Sequence, residues 1–589
     1  MEVMSTKCVS CGSEFLTDQG DQAFFEAMKV PLPTHCPECR MVRRQVWRNE
    51  RALYKRMCAL CGEETITMYA PEKPFVVYCT DCYQSDKWDP MTYGRAFDFS
   101  KPFFEQFSAL MQVVPRRALY QDFAEGSDYS NWAVYLKNSY LIFGGHHYED
   151  TAYAAQSFYL KDCIDVDFSK KCEQCYGSIH LRQCNQVRFS AFSEDCADSW
   201  FLYGCRNCTN CVGCTNLRNA SYCIYNQQYS REEYKKKLTE MALDTYEGAS
   251  RVGVEALKRS LLYPHKYAWT KNVTNSSGDD LDQVRNCKHC FSASDSENCR
   301  YSFFIPGGAK DSYDLDHCGL GLELTYELMS GFGNNRVRFG NRVYYSHDVD
   351  YSDDCFNSAS LFGCIGLRKK EHCVLNKQYS KEEYEELVGK IIKQMGDIPY
   401  RDRSGRDYSF GEFFPPELSP FAYNETVAQE YFPLTEETAG VVGFAWREND
   451  KKEYKADVRS ENLPRAKDAP SDLTEKIVTC SHSGSCNEQC TKAFRITKNE
   501  LQFYQKLGVP LPRLCPNCRH YERLNQRNPL KLWKGRCCCS GAESVNGIYK
   551  NATFHIHGSE RCLNEFETSY APDRQEIIYC ETCYQAEVV

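Results

Sequence analysis

The chain has 589 residues, 36 cysteines and a formal net charge of −9. That length is too great for one ordinary core and divides into several domains, while the negative balance excludes a protein that coats nucleic acid with its whole surface and leaves room only for a local basic stripe. No stretch approaches the roughly 18 apolar residues that span a bilayer, and the first residues carry no basic-then-apolar leader. The reading is a cytoplasmic protein without membrane contact, in which closely spaced thiols favour metal over disulfides.

Residues 1–95 read as a double zinc-ribbon unit. Cys8-x2-Cys11 precedes Cys36-x2-Cys39, and Cys58-x2-Cys61 precedes Cys79-x2-Cys82. Two knuckles, each wrapping one side of a tetrahedral ion, make a closed four-cysteine zinc site, and the absence of an open position makes such a site structural. Between the first two knuckles "DQGDQAFFEAMKV" predicts a short helix, and the prolines of "VPLP" preset an extended approach to the second knuckle.

A basic strap follows, with Arg40, Arg43, Arg44, Arg48, Arg51, Lys55 and Arg56 against Glu50, and with Trp47 and Tyr54 between them. Guanidinium forks suit phosphates and aromatic rings stack unpaired bases, which points to RNA or single-stranded nucleic acid. The competing reading pairs the arginines with carboxylates of the acidic body as internal cement.

Residues 96–245 and 246–397 read as two parallel β-solenoid lobes, each ending in a helix. Cys163, Cys184 and Cys205 recur at a period of 21, as do Cys175 and Cys196, with turn-forming residues between; such a period predicts stacked, alternating strands of a β-helix. The stacked cysteines read either as packing or, in the run Cys205, Cys208, Cys211 and Cys214, as a further metal site. "GGHHYED" offers His146, His147, Glu149 and Asp150, with Asp165 and Asp167 as neighbours from the next coil; paired carboxylates could do acid/base work, and a solvated turn is the plainer account. The lobes are duplicates: "NQQYSREEYKKKL" and "NKQYSKEEYEELV" lie 150 residues apart, and each helix opens with a capping box, Ser230-x-x-Glu233 or Ser380-x-x-Glu383.

Residues 398–479 read as an extended connector, and 480–589 as a second double zinc-ribbon unit. Adding 479 to Cys11, Cys36, Cys39 and Cys58 gives Cys490, Cys515, Cys518 and Cys537. Cys537 and Cys562 are 25 positions apart where Cys58 and Cys61 are three apart, an insertion of 22, after which Cys580 and Cys583 match Cys79 and Cys82. The alignment selects Cys486, Cys490, Cys515 and Cys518 for one site and Cys537, Cys562, Cys580 and Cys583 for the other; Cys480, Cys538, Cys539, His555 and His557 stand nearby as alternatives. About four structural zinc ions follow. The second strap carries Arg519, Arg523, Arg527, Lys531, Lys534 and Arg536.

Through "CPECRMVRRQVWRNERALYKR", "SDKWDPMTYGRAFDFSKPFFEQF", "FFPPELSPFAYNET" and "FRITKNELQFYQKLGVPLPRLCPNCRH", the sequence resembles a family of zinc-ribbon, cysteine-rich β-solenoid proteins common in candidate-phyla (Patescibacteria-type) bacteria. The resemblance implies zinc binding and no activity beyond it; Ser139 and Thr151 stand where the family often has cysteine. The expectation is a mainly β protein with short helices, a duplicated parallel β-solenoid core and paired four-cysteine modules at both ends. Its expected function is a structural-zinc binding module that contacts RNA or single-stranded nucleic acid through the straps. The alternatives are a protein-interaction scaffold and a β-helix enzyme acting on carbohydrate, with the balance against an enzyme.

Overall fold

The computed structural model describes residues 3–448 and 455–589. The fold is mostly β, with two large, largely parallel sheets among the described residues, and short two-stranded sheets around them. Contacts divide the described residues into two units that cut across the sequence order: one holds 3–119, 268–448 and 530–532, the other 120–267, 455–529 and 533–589. The N-terminal cysteine modules therefore belong with the second β lobe, and the C-terminal modules with the first. This differs from five consecutive domains, and buried ion pairs between module and lobe account for it.

In the first lobe the parallel register is 12 residues: Leu160 pairs with Cys172, Val166 with Ser178, Val187 with Ser199 and Cys211 with Cys223. The side-chain period along the chain is three, not the two of an ordinary strand. Leu160, Cys163, Val166, Ser169, Cys172, Cys175, Ser178, Leu181 and Cys184 are all buried. The residue before each inward position sits in the left-handed region; Asp162, Asp165, Phe168, Lys171 and Gln174 take φ of 50–57°. Each such residue costs roughly 1–2 kcal/mol, offset by a ladder that uses both backbone groups: Ile164 N donates to Cys175 O, and Asp165 N to Ala152 O, each at 3.1 Å.

A period of three leaves a narrow interior, which explains its small residues. Serine also closes the backbone account there. Ser169 Oγ donates to Asp167 O at 2.9 Å and accepts from Leu181 N at 2.9 Å, and Ser190 repeats this with Arg188 O and Leu202 N. Thr151 likewise donates its hydroxyl to Glu149 O at 2.9 Å. The cysteines act as weak counterparts: Cys175 Sγ donates to Glu173 O and lies 3.6 Å from Cys184 O.

Much of the second lobe keeps the 12-residue register, pairing Asn335 with His347, Val337 with Val349 and Val349 with Leu361, but the step is 11 from Thr270 to Leu281 and 13 from Tyr313 to Tyr326. Each ladder ends in a short antiparallel turn, Cys223–Gln228 or Cys373–Gln378, and then a helix, Arg231–Met241 or Lys381–Asp397, whose capping box is formed as expected. Tyr234 and Tyr384, on the buried faces of these helices, pack against Tyr222 and His372.

The predicted extended connector divides between the units. Phe413, Phe414 and Tyr423 are buried in the first unit, and residues 455–479 go with the second; its portion at 449–454 lies outside the described residues. Residues 96–119, expected in the first lobe, instead join the first unit, where Phe103 of the helix Phe103–Val113 packs on Phe362 and Tyr351.

Candidate metal centres and the arginine clamps

Each cysteine module is a hairpin followed by a helix. Strand Met4–Lys7 pairs with Glu14–Thr17 and delivers Cys8 and Cys11; Cys36 then caps the helix Pro37–Gln45, with Pro37 in its first turn and Cys39 within it. The CPxC segment is thus a helix start rather than a second ribbon turn, and Pro fits there because the first helical N–H has no partner to lose. Cys79, Cys515 and Cys580 cap the helices Thr80–Gln84, Pro516–Leu524 and Glu581–Val588 in the same way. A thiolate at a helix N-terminus is favoured by the local dipole. The helix predicted between the knuckles is present in both copies, at Gln19–Ala27 and Lys498–Leu507.

The side chains converge in four four-cysteine groups: Cys8, Cys11, Cys36 and Cys39; Cys58, Cys61, Cys79 and Cys82; Cys480, Cys490, Cys515 and Cys518; and Cys537, Cys562, Cys580 and Cys583. Zinc–sulfur bonds of about 2.3 Å in a tetrahedron place sulfurs about 3.8 Å apart. The observed separations are 3.8 Å for Cys11–Cys36, 3.9 Å for Cys61–Cys79 and 3.9 Å for Cys562–Cys580. Backbone N–H groups point at sulfur in a repeated way, from Cys79 to Cys58, Cys515 to Cys480 and Cys580 to Cys537, each at 3.3 Å. Cys36 is lowered to about 5, with the hydrogen bond from Cys39 the largest cause. Four thiolates at these distances suit zinc in a closed, structural role.

One ligand differs from the alignment. Cys480, not Cys486, completes the third group, and Cys486 Sγ lies beside it, 3.7 Å from Cys518 Sγ. The hairpin explains this. Cys480 follows strand Val478–Thr479, which pairs with Ala493–Phe494, as Cys8 follows Met4–Lys7; Cys480 N donates to Lys492 O as Cys8 N donates to Ser13 O. The knuckle loop is longer, and the residue leaving the strand keeps the ligand position.

The straps lie inside the units. Arg40, Arg43, Arg44, Arg48 and Arg51 are all buried. Arg40 Nε meets Asp314 at 3.0 Å, Arg44 Nη1 meets Asp314 at 3.0 Å while its Nε meets Asp316, and Arg43 joins Glu327 at 2.7 Å and Glu412. Arg48 pairs with Glu50 at 2.6 Å, and Arg51 lies 3.5 Å from Glu430. In the other unit Arg519 Nε meets Asp165 at 2.8 Å, and Arg523 bridges Asp165 and Asp167, both at 2.8 Å. Arg527 lies over the ring of Phe168, 3.9 Å from its centroid, and Lys531 is exposed, 3.6 Å from Glu38.

These contacts accord with the internal-cement alternative for the straps and bear on the carboxylate reading as well. The guanidinium groups of Arg40, Arg43, Arg44, Arg519 and Arg523 are committed to carboxylates and shielded from solvent, so they present no phosphate-binding face. Asp165 and Asp167 hold arginines and leave nothing for acid/base work with the "GGHHYED" turn. There, His146 and His147 contact each other through their Nδ1 atoms at 2.8 Å, His147 stacks between Tyr135 and Tyr159, and Glu149 pairs with Lys137.

The interior thiols of the lobes differ from the module thiols. Cys205, Cys208, Cys211 and Cys214 donate to the carbonyls of Tyr203, Arg206, Thr209 and Val212. Burial pushes Cys172 and Cys175 well above the usual thiol range and Cys373 up to about 11, as suits packing groups, whereas hydrogen bonds from neighbouring thiols hold Cys208 and Cys214 below the ordinary value.

The clamps were findable in the sequence. Asp-x-Asp occurs at Asp165 and Asp167 and again at Asp314 and Asp316, and Arg40 and Arg44 recur as Arg519 and Arg523. Two pairs of opposite charge, duplicated together, are a signal for mutual pairing. Residues 4–47 match a family described as a probable treble clef domain, in accord with the hairpin-then-helix arrangement around the first site. No curated protein matches the chain. Among the described residues no helix is long and apolar enough to cross a membrane.

Proposed function

We propose that the chain is a structural-zinc scaffold for protein partners. In this reading each parallel ladder is a β-solenoid whose outer faces are the recognition surface, and the zinc modules are locks that hold an arginine-bearing helix in an Asp-x-Asp clamp. The observation that carries it is the burial of the strap arginines against Asp165, Asp167, Asp314 and Asp316. A group that binds nucleic acid must be free to meet phosphate, whereas a group that fixes architecture is buried and paired.

The test uses the full, zinc-loaded chain. With a fluorescent single-stranded RNA or DNA oligonucleotide at about 50 mM salt, where phosphate contacts are strongest, no saturable binding is expected. Affinity-captured protein partners should survive RNase and high salt. Saturable binding with a steep salt dependence, reduced by replacing the exposed Lys531, Lys534 and Arg536 with Ala, would replace the scaffold by the nucleic-acid reading.

A further inference from the structure

The insertion that separates Cys537 from Cys562 has no counterpart in the N-terminal module, and it brings three metal-ligating residues to one place. Cys539, His555 and His557 come from it, and their donor atoms lie with Cys583 Sγ inside one group, all within 4.8 Å of one another. Cys539 and Cys583 are fully buried and His555 nearly so. We infer that this group is a second zinc site joined to the Cys537, Cys562, Cys580 and Cys583 site through Cys583, whose thiolate bridges the two ions.

The near nitrogens face sulfur at tetrahedral spacing. His555 Nδ1 lies 3.5 Å from Cys539 Sγ, and His557 Nε2 lies 3.3 Å from Cys583 Sγ. Zinc bonds of about 2.0–2.1 Å to nitrogen and about 2.3 Å to sulfur place such donors about 3.6 Å apart. The far nitrogens are held from outside: His555 Nε2 meets Glu587 Oε1 at 2.9 Å, and His557 Nδ1 meets Glu560 O at 2.7 Å. A ligating histidine with its other N–H on a carboxylate or a carbonyl has its tautomer and ring orientation fixed for the metal. Both rings meet that condition, one with each kind of acceptor.

The surroundings hold the arrangement. Glu587 also accepts from Ala552 N at 2.8 Å, Thr553 Oγ1 at 2.8 Å and Tyr549 Oη at 3.0 Å, which ties the inserted loop to the last helix. Cys562 N donates to Cys539 O at 3.0 Å, so the new ligand and a ligand of the neighbouring site sit on one backbone bond. Asn551 Nδ2 points at Cys539 Sγ at 3.2 Å. Four thiolates around one zinc leave excess negative charge, and a thiolate shared with a second cation spreads it over two ions.

Zinc content of the full chain tests this. Native mass spectrometry should show one zinc fewer in His555→Ala/His557→Ala than in the wild type, and equal contents would overturn the inference. If the double variant fails to fold, cadmium-113 NMR of the cadmium-loaded wild-type chain decides. A pair of resonances coupled through a shared sulfur, one shifted by nitrogen ligands, is expected; only uncoupled four-sulfur resonances would overturn it. Neither readout depends on what partner the scaffold binds.

Discussion

Arg523 donates from Nε to Asp167 Oδ2 at 2.8 Å inside one unit, and Arg44, which precedes it by 479 positions, reaches Asp316 in the other through the same atom. Both arginines use Nη1 for the first aspartate of an Asp-x-Asp pair, Asp165 or Asp314. The fork geometry of guanidinium suits two carboxylates held side by side, and removing one partner of such a buried set leaves uncompensated charge, at a cost of about 3–5 kcal/mol. Arg523→Ala is expected to lose that amount. Arg523→Lys should not restore it, because an ammonium lacks the fork. Limited proteolysis reads the outcome: new cleavage should concentrate in 120–267 and 455–589, with 268–448 still resistant. Cleavage spread evenly over both units would contradict the division of the chain into module-plus-lobe units.

Glu327 gives a pH dependence with a definite sign. Burial pushes its carboxyl from the ordinary 4.5 up to about 7, although Arg43 pulls the other way, and burial likewise raises Asp316 to about 6 against Arg44. Between its unfolded and folded values each group holds, in the folded chain, a proton that the unfolded chain has released. The stability from Glu327 is therefore fully present below about pH 4.5 and is lost as pH rises through about 7. Glu327→Gln fixes the neutral form. Its thermal midpoint should gain on the wild type between about pH 5.5 and about pH 8; a constant gap, or one that narrows, would show that the pair with Arg43 outweighs burial.

The lobe interior yields a contrast between hydroxyl and thiol. Ser169 Oγ is the acceptor for Leu181 N, and Ser169→Ala leaves that buried N–H without it, at about 1–3 kcal/mol. Cys175 is a packing group whose thiol makes weak contacts to Glu173 O and Cys184 O. Cys175→Ser should leave zinc content unchanged and cost less than Ser169→Ala, as read by thermal unfolding. Loss of a zinc ion from Cys175→Ser would mean that the lobe thiols also ligate metal.

How far these features were legible depends on what each signal measures. The four cysteine modules were readable because zinc ligation fixes short spacings in the chain. The lobes gave a true repeat but a misleading period: the 21-residue step from Cys163 to Cys184 is the 12-residue register plus three triplets, and it moves from one interior column to another. The residues in the left-handed region carried the better signal, since Asn207, Asn210, Gly213, Asn216 and Asn219 mark every third position with types that tolerate positive φ. The straps looked like a surface because charge was counted along the chain. The aspartate partners of Arg40, Arg44 and Arg523 lie 270 or more positions away in sequence, and only the pairing of duplicated arginines with duplicated aspartates could have located them.

The choice between Cys480 and Cys486 rests on backbone position rather than spacing. Cys486 keeps a spacing to Cys490 close to that of Cys8 and Cys11, but Cys480 leaves the hairpin strand where Cys8 does, and its sulfur accepts from Cys515 N at 3.3 Å. Cys480 is fully buried, whereas Cys486 is half-buried. A ligand set by the strand is held before metal arrives, whereas one on the loop must be ordered by the metal, so Cys480 should carry the larger share of affinity. Cys480→Ser is expected to lose one zinc ion per chain and to destabilise residues 455–529, while Cys486→Ser keeps the wild-type content. Elemental analysis of the purified variants checks it, and the reverse pattern would return the ligand to Cys486.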